Sequence, residues 1–160
     1  MSSDSLAAFV WSGGAVPESV EQEAAELIAA KLGRLAEGEG MLTDPDTWRR
    51  VAARMGVHVE DYCVPGAHRG ECSLSAHDAD LGVLFVNTAY APPEQAPVFV
   101  HELAHLELLA WIPPRLAGCA DVYHYDDEPT SVHHRIAQRV EELVLRSTDC
   151  AGCASGRDGT

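Results

Sequence analysis

The chain has 160 residues, 46% hydrophobic and 22% charged, which is the composition of an ordinary globular protein with one domain. Acidic residues outnumber basic residues by 25 to 11, and the formal net charge is −14. A surface with this charge repels nucleic acid phosphates and anionic lipid headgroups, so direct nucleic acid or membrane binding is not expected.

The N-terminal part of the sequence predicts two helices. Residues 1–16 are rich in Ser, Gly and Ala and are expected to be flexible. From Pro17 to Glu37 the apolar residues keep helical periodicity, and proline is tolerated in a first helical turn. Gly38 then ends this helix. A shorter second helix follows the capping sequence Thr43–Asp46 and stops at Gly56.

Three short β-rich segments follow the second predicted helix. Val57–Val64 is the first, and Pro65-Gly66 turns the chain after it. A weaker strand signal covers Glu71–Ser75, and the apolar run Gly82–Asn87 is typical of a buried strand. Short strands between helices predict a small antiparallel or mixed sheet with helices on one face, which is an α+β architecture.

The third predicted helix follows a break at Pro92-Pro93-Glu94, carries the segment HELAH and runs to about Trp111. His101 and His105 are four residues apart, so on a helix they lie about 40° apart around the axis. Two imidazoles in this arrangement can bind one zinc ion. Glu102 lies beside them, where its carboxylate can take a proton from a water molecule at the ion. The HExxH pattern therefore predicts a zinc site with a general base.

A pair of exposed or hydrogen-bonded histidines on an amphipathic helix would show the same spacing. The apolar residues Val98 and Phe99, the strand before the helix and the size of the domain favour the metal site over this interpretation.

A fourth predicted helix runs from Pro129 or Thr130 to about Arg146. Residues 147–160 are small and polar and are expected to form a flexible tail. A single domain is therefore predicted to span residues 17–146.

A catalytic zinc site needs a third protein ligand, and the fourth predicted helix carries the candidates. Its apolar residues place His133 within the buried side and place His134 and Glu141 together on the flank, two turns apart. Glu142 faces away from them. Any of the first three side chains can reach a metal ion held by a neighbouring helix, so the pattern leaves the third ligand open.

The order of these elements resembles the ImmA/IrrE family of small zinc metallopeptidases. The resemblance runs from about Glu18 to Arg146, and its most specific parts are Gly82–Asn87, Gln95–Leu108 and the last helix. It implies a zincin-like fold, in which a small twisted sheet packs against the HExxH helix and a C-terminal ligand helix completes the site.

The resemblance also bears on the third ligand. In that family the last helix typically reads E-x-x-A-N-x-F-A-x-x-L-L, and its first Glu binds zinc. His134 occupies that first position in this chain. The resemblance therefore implies that His101, His105 and His134 hold Zn²⁺, with Glu141 and then His133 as the alternatives. A neutral imidazole in place of a carboxylate makes water at the ion more acidic.

The resemblance further implies zinc-dependent hydrolysis of peptide bonds with Glu102 as the general base. Members of the family are similar to regulators that cleave a helix-turn-helix repressor and so release stress-response or mobile-element genes. An acidic surface is compatible with a basic repressor as the substrate. We therefore expect a site-specific protease that regulates transcription through a protein partner.

Two other classes of function fit the same residues. One is a non-catalytic, metal-binding regulatory or interaction module, which the departure at His134 allows. The other is a structural zinc site with a fourth protein ligand, such as His124 or a cysteine, which would unfold on chelation.

Two smaller features have simpler interpretations. Cys150 and Cys153 have CxxC spacing, but no second CxxC accompanies them, so cysteines of a flexible tail are the favoured interpretation. Tyr123, His124 and Tyr125 could stabilise an oxyanion between the two metal helices, but aromatic anchoring of a loop is favoured.

The expected compartment is the cytoplasm. The five cysteines are odd in number and follow no disulfide framework, which favours a reducing environment. The first residues also lack the basic and apolar regions of a secretory signal, and no apolar run is long enough to span a membrane.

Overall fold

The computed structural model describes residues 17–74, 82–110 and 134–145. Its elements, in chain order, are α1 (Glu18–Ala36), α2 (Pro45–Arg54), β1 (Val57–Tyr62), β2 (Gly70–Leu74), β3 (Gly82–Asn87), α3 (Pro92–Ala110) and α4 (134–145). The α+β class is therefore confirmed. Several predictions lie outside the described residues: those for both flexible ends, for His133, for Tyr123-His124-Tyr125 and for Cys150 and Cys153.

The two N-terminal helices form where the sequence predicts them. In α1 one face is buried, with Ala24, Ile28 and Leu32 spaced four residues apart. In α2 the carboxylate of Asp44 accepts a hydrogen bond from the backbone N–H of Asp46 at 2.9 Å, which caps the first turn. Trp48 fixes this helix, because its buried indole donates to the carbonyl of the preceding loop.

The sheet is mixed and has the strand order β1-β3-β2. The central strand β3 runs parallel to β1, with Val57 opposite Gly82, and antiparallel to β2, with Gly70 opposite Val86. This confirms the prediction of a small antiparallel or mixed sheet. Leu84 and Val86 of β3 are fully buried, as expected for a central strand.

A buried amide at the end of β3 organises the loop that leads into β2. The Nδ2 group of Asn87 donates to the carbonyls of Val64 at 2.8 Å and His68 at 3.0 Å. Its Oδ1 atom accepts from the backbone N–H groups of Val64 and Ala89. The backbone N–H of Asn87 donates to Arg69 at 2.9 Å. These bonds fix the backbone at Arg69, a residue that also lines a cleft beside α3.

Gly70 allows β2 to lie directly against α3. A Cβ atom at this position would collide with the side chain of Val98 and lie 2.6 Å from the carbonyl oxygen of Phe85. Only glycine permits this approach without displacing the strand. The first residue of β2 is therefore held close to the first half of α3.

Helix α3 begins at Pro92, so the prediction that Pro92-Pro93-Glu94 interrupts the chain before it is wrong. Proline is tolerated in the first turn because the N–H groups there have no acceptor within the helix. The carboxylate of Glu94 accepts a hydrogen bond from the backbone N–H of Ala91 and so closes that turn. The helix then passes through the core, where Phe99, Val100, Leu103, Ala104 and Leu106 are fully buried.

Helix α4 is held against α1 by apolar packing and by ion pairs. Ile136 and Val140 are fully buried. Beside them, Nε of Arg135 donates to the carboxylate of Glu21 at 2.8 Å, and the Glu21 side chain is only 5% exposed. Arg139 donates to Gln22 at 2.9 Å and to the exposed Glu18 at 3.2 Å. These contacts fix the helix that carries the predicted third ligand.

No helix within the three described stretches is both long and apolar enough to cross a lipid bilayer.

The ion pair between Arg135 and the buried Glu21 predicts that two substitutions around it differ in their effect on stability. Arg135→Met should lower the free energy of unfolding by about 2–3 kcal/mol, because among the described residues it leaves the buried carboxylate of Glu21 with Arg139 alone, at 3.9 Å. Glu18→Gln, the control, removes an exposed partner of the same cluster and should cost at most about 1 kcal/mol. Urea denaturation of the metal-free proteins measures both values. Equal losses would contradict this account of how α4 is held.

Candidate metal centre

Three histidines from two helices converge on one point. His101 and His105 are on α3, and His134 is the first described residue of α4. One ring nitrogen from each lies within 4.8 Å of the others. The ring centroid of His101 is 4.7 Å from that of His105 and 5.0 Å from that of His134. The structure thus brings together the three residues that the sequence and the family resemblance indicate.

The distances suit a metal ion. The Nε2 atoms of His101 and His105 are 3.0 Å apart. Two nitrogens bound to one tetrahedral zinc ion at roughly 2.0–2.1 Å lie about 3.3 Å apart, so a small movement of either ring suffices. Two imidazole nitrogens that face each other at this distance also need a proton or a cation between them, because their lone pairs repel. The group of His101, His105 and His134 can therefore hold a metal ion.

The site is largely buried, and burial favours the neutral form of His134. His105 is almost completely buried, with 3% of its surface exposed, and the other two histidines are partly buried. Burial lowers the pKa of His134, and the neighbouring His101 lowers it further, whereas the carboxylate of Glu141 opposes this shift. A lowered pKa keeps the imidazole neutral near pH 7, and the neutral form is the one that binds metals.

Glu141 contacts the outer side of one of these histidines. Its Oε2 atom lies 2.9 Å from Nδ1 of His101. The sequence leaves Glu141 open as an alternative third ligand, but here its carboxylate accepts from the ring nitrogen that faces away from His105. When Nδ1 donates to a carboxylate, Nε2 keeps its lone pair for a metal ion. Among the described residues, His134 and not Glu141 is therefore the third side chain of the group that could hold a metal ion.

Glu102 lines a cleft beside the histidines. The cleft has a volume of about 190 Å³, and its walls include His101, Glu102, Glu141, Val98 and Arg69. Glu102 is half-buried there. The cleft therefore places a carboxylate, a cation and an apolar surface next to the imidazole of His101. Arg69 carries no signal in the sequence, because it is a lone cation in a turn before a weak strand.

A neutral phenol lies near the same carboxylate. Tyr62, at the end of β1, donates its hydroxyl to the carbonyl of His68 at 2.6 Å. Burial raises the pKa of Tyr62, and Glu71, Tyr90 and Glu102 raise it further. Tyr62 therefore stays protonated at neutral pH and adds no second negative charge beside Glu102.

The ligand assignment predicts the effect of removing His134. We expect wild-type protein to bind about one Zn²⁺ per chain. His134→Ala should weaken zinc binding by more than about 100-fold, because loss of a residue that only hydrogen bonds to a metal ligand already lowers metal affinity by roughly 10–100-fold. Competition with a chromophoric chelator measures the affinity. His68→Ala, which removes an exposed imidazole outside the group, is the control. Equal affinity in wild type and His134→Ala would contradict the assignment.

Comparisons with known proteins add nothing to these observations. No protein-family model, no curated protein and no solved structure matches the chain. The geometry of the three histidines and the residues around them are therefore what indicate a metal centre.

Proposed function

We propose that the protein is a zinc-dependent metallopeptidase with a zincin-like fold, similar to the ImmA/IrrE family. The observation that carries this proposal is the convergence of His101, His105 and His134 next to a cleft lined by Glu102. One candidate ligand, His101, and a candidate base thus line the same cleft, which a purely structural metal site does not require.

The three histidines match a catalytic zinc site in both the type and the number of ligands. Imidazole nitrogens are ligands that zinc accepts, and three protein ligands are the number typical of catalytic zinc sites. When bound, zinc supplies Lewis acidity, which polarises a peptide carbonyl and lowers the pKa of water toward about 7. Within the described residues, the group contains His101, His105 and His134 and no fourth histidine or cysteine.

Glu102 is the proposed general base. Glu102 follows His101 directly on α3 and lines the cleft. It accepts the proton of the attacking water as the carbon–oxygen bond forms. It then returns that proton to the amine nitrogen as the carbon–nitrogen bond breaks, so the carboxylate ends in its starting state. Arg69, on the wall of the cleft, supplies a positive charge for the oxygen of the attacked carbonyl.

The proposed substrate is a basic regulatory protein in the cytoplasm, such as a helix-turn-helix repressor. The charge of −14 attracts a basic partner and repels the nucleic acid that such a partner binds. The substrate class comes from the resemblance to ImmA/IrrE proteins, and the charge supports it.

Substitution of the base separates catalysis from binding. Glu102→Gln should reduce the rate of peptide cleavage by about 10²–10⁴-fold, because the amide cannot accept the proton. Zinc affinity should stay within about 3-fold of wild type, because Glu102 is an acceptor for water and not a ligand. Mass spectrometry of a proteome-derived peptide library, incubated with the zinc-loaded proteins, measures cleavage. Glu60→Gln, an exposed carboxylate on β1, is the control.

The same experiment tests the alternative of a non-catalytic regulatory module. Such a module predicts that wild type and Glu102→Gln bind zinc and a basic partner equally and that neither cleaves any peptide. Equal cleavage by both proteins would instead contradict the role of Glu102.

A further inference from the structure

The hydrogen bond between Glu141 and His101 has a consequence for the strength of the metal centre. We propose that Glu141 is a positioning residue that orients His101 and supplies the negative charge that a site of three imidazoles lacks. This inference rests on the metal centre of the proposed function and does not depend on peptide hydrolysis.

The geometry of the contact supports orientation of the ring. Oε2 of Glu141 lies 2.9 Å from Nδ1 of His101, and the two side chains are 30% and 15% exposed. The bond holds the proton on Nδ1, so Nε2 is left as the acceptor on the side of His105, 3.0 Å away. Without the carboxylate, the ring can rotate and the proton can move to the nitrogen needed for the metal.

The neutral charge of the three imidazoles supports the proposal that Glu141 supplies a negative charge to the site. All three ligands are neutral when they bind, so a divalent ion brings two positive charges into a partly buried position. Glu141 hydrogen bonds directly to one ligand, and its negative charge makes that imidazole a stronger donor. Glu102 also lies near His101 and lines the cleft, but the proposed function gives it the role of accepting a proton from water.

The position of Glu141 on α4 accounts for its contact with His101. Glu141 is seven residues, or two turns, after His134, so one face of α4 carries both a ligand and the orienting carboxylate. The pair of Arg135 with the buried Glu21 fixes this helix against α1. The adjacent Glu142 is exposed and does not share this face, which makes it a matched control.

The test compares Glu141→Gln and Glu141→Ala with Glu142→Gln. Glutamine keeps an acceptor oxygen but removes the charge, whereas alanine removes both. We expect zinc affinity, measured by chelator competition at fixed pH, to fall about 10–100-fold in Glu141→Gln and at least as far in Glu141→Ala. Glu142→Gln should stay within about 2-fold of wild type. Urea denaturation of the metal-free proteins checks folding, and the isosteric Glu141→Gln decides the test if Glu141→Ala does not fold.

A second measurement locates the proton on the imidazole ring of His101. In ¹⁵N-edited NMR spectra of wild-type protein, the proton of His101 should be on Nδ1, and it should shift or exchange faster in Glu141→Gln. Two results would overturn the proposal. One is a zinc affinity in Glu141→Gln equal to that in Glu142→Gln. The other is a loss of zinc binding in Glu141→Gln as complete as in His134→Ala, which would make Glu141 a direct ligand. Zinc affinity is measured without any peptide, so a protein that lacks protease activity can still pass this test.

Discussion

The whole site depends on the packing of α4 against α1 and α3. His101 and His105 share one helix and need no tertiary structure to lie close together, but a third ligand must come from elsewhere in the chain. Buried Ile136 and Val140, together with the pair of Arg135 and Glu21, fix α4 where His134 reaches the other two rings. An ionised carboxylate that is 5% exposed requires its partner, so the pair also specifies which face of α4 turns inward.

Two carboxylates around His101 have different environments and, we propose, different tasks. Both side chains line the cleft, but Glu141 in addition contacts the Nδ1 atom of the ring. A carboxylate bound to the ligand strengthens metal binding without occupying a position on the ion. In this proposal, proton transfer from water and support of a metal ligand are divided between neighbouring helices.

The sequence predicts local features of this protein better than its long-range contacts. Periodicity and capping predict α1, α2 and the buried β3, and the four-residue spacing predicts that His101 and His105 share a site. Pro92 misleads, because the rule against proline inside helices does not apply to a first turn. Contacts such as Glu21 with Arg135, 114 residues apart, follow from tertiary packing and leave no local pattern. Glu107 is likewise 7% exposed and bound to Lys31 of α1 at 2.8 Å, which no periodicity indicates.

The measurement that tests the central claim most directly is X-ray absorption spectroscopy at the zinc edge of the zinc-loaded, full-length protein. Three imidazoles and one oxygen from solvent predict only nitrogen and oxygen neighbours at about 2.0–2.1 Å, with the multiple scattering of histidine rings. A sulfur neighbour at about 2.3 Å, or scattering from fewer than three rings, would contradict the account.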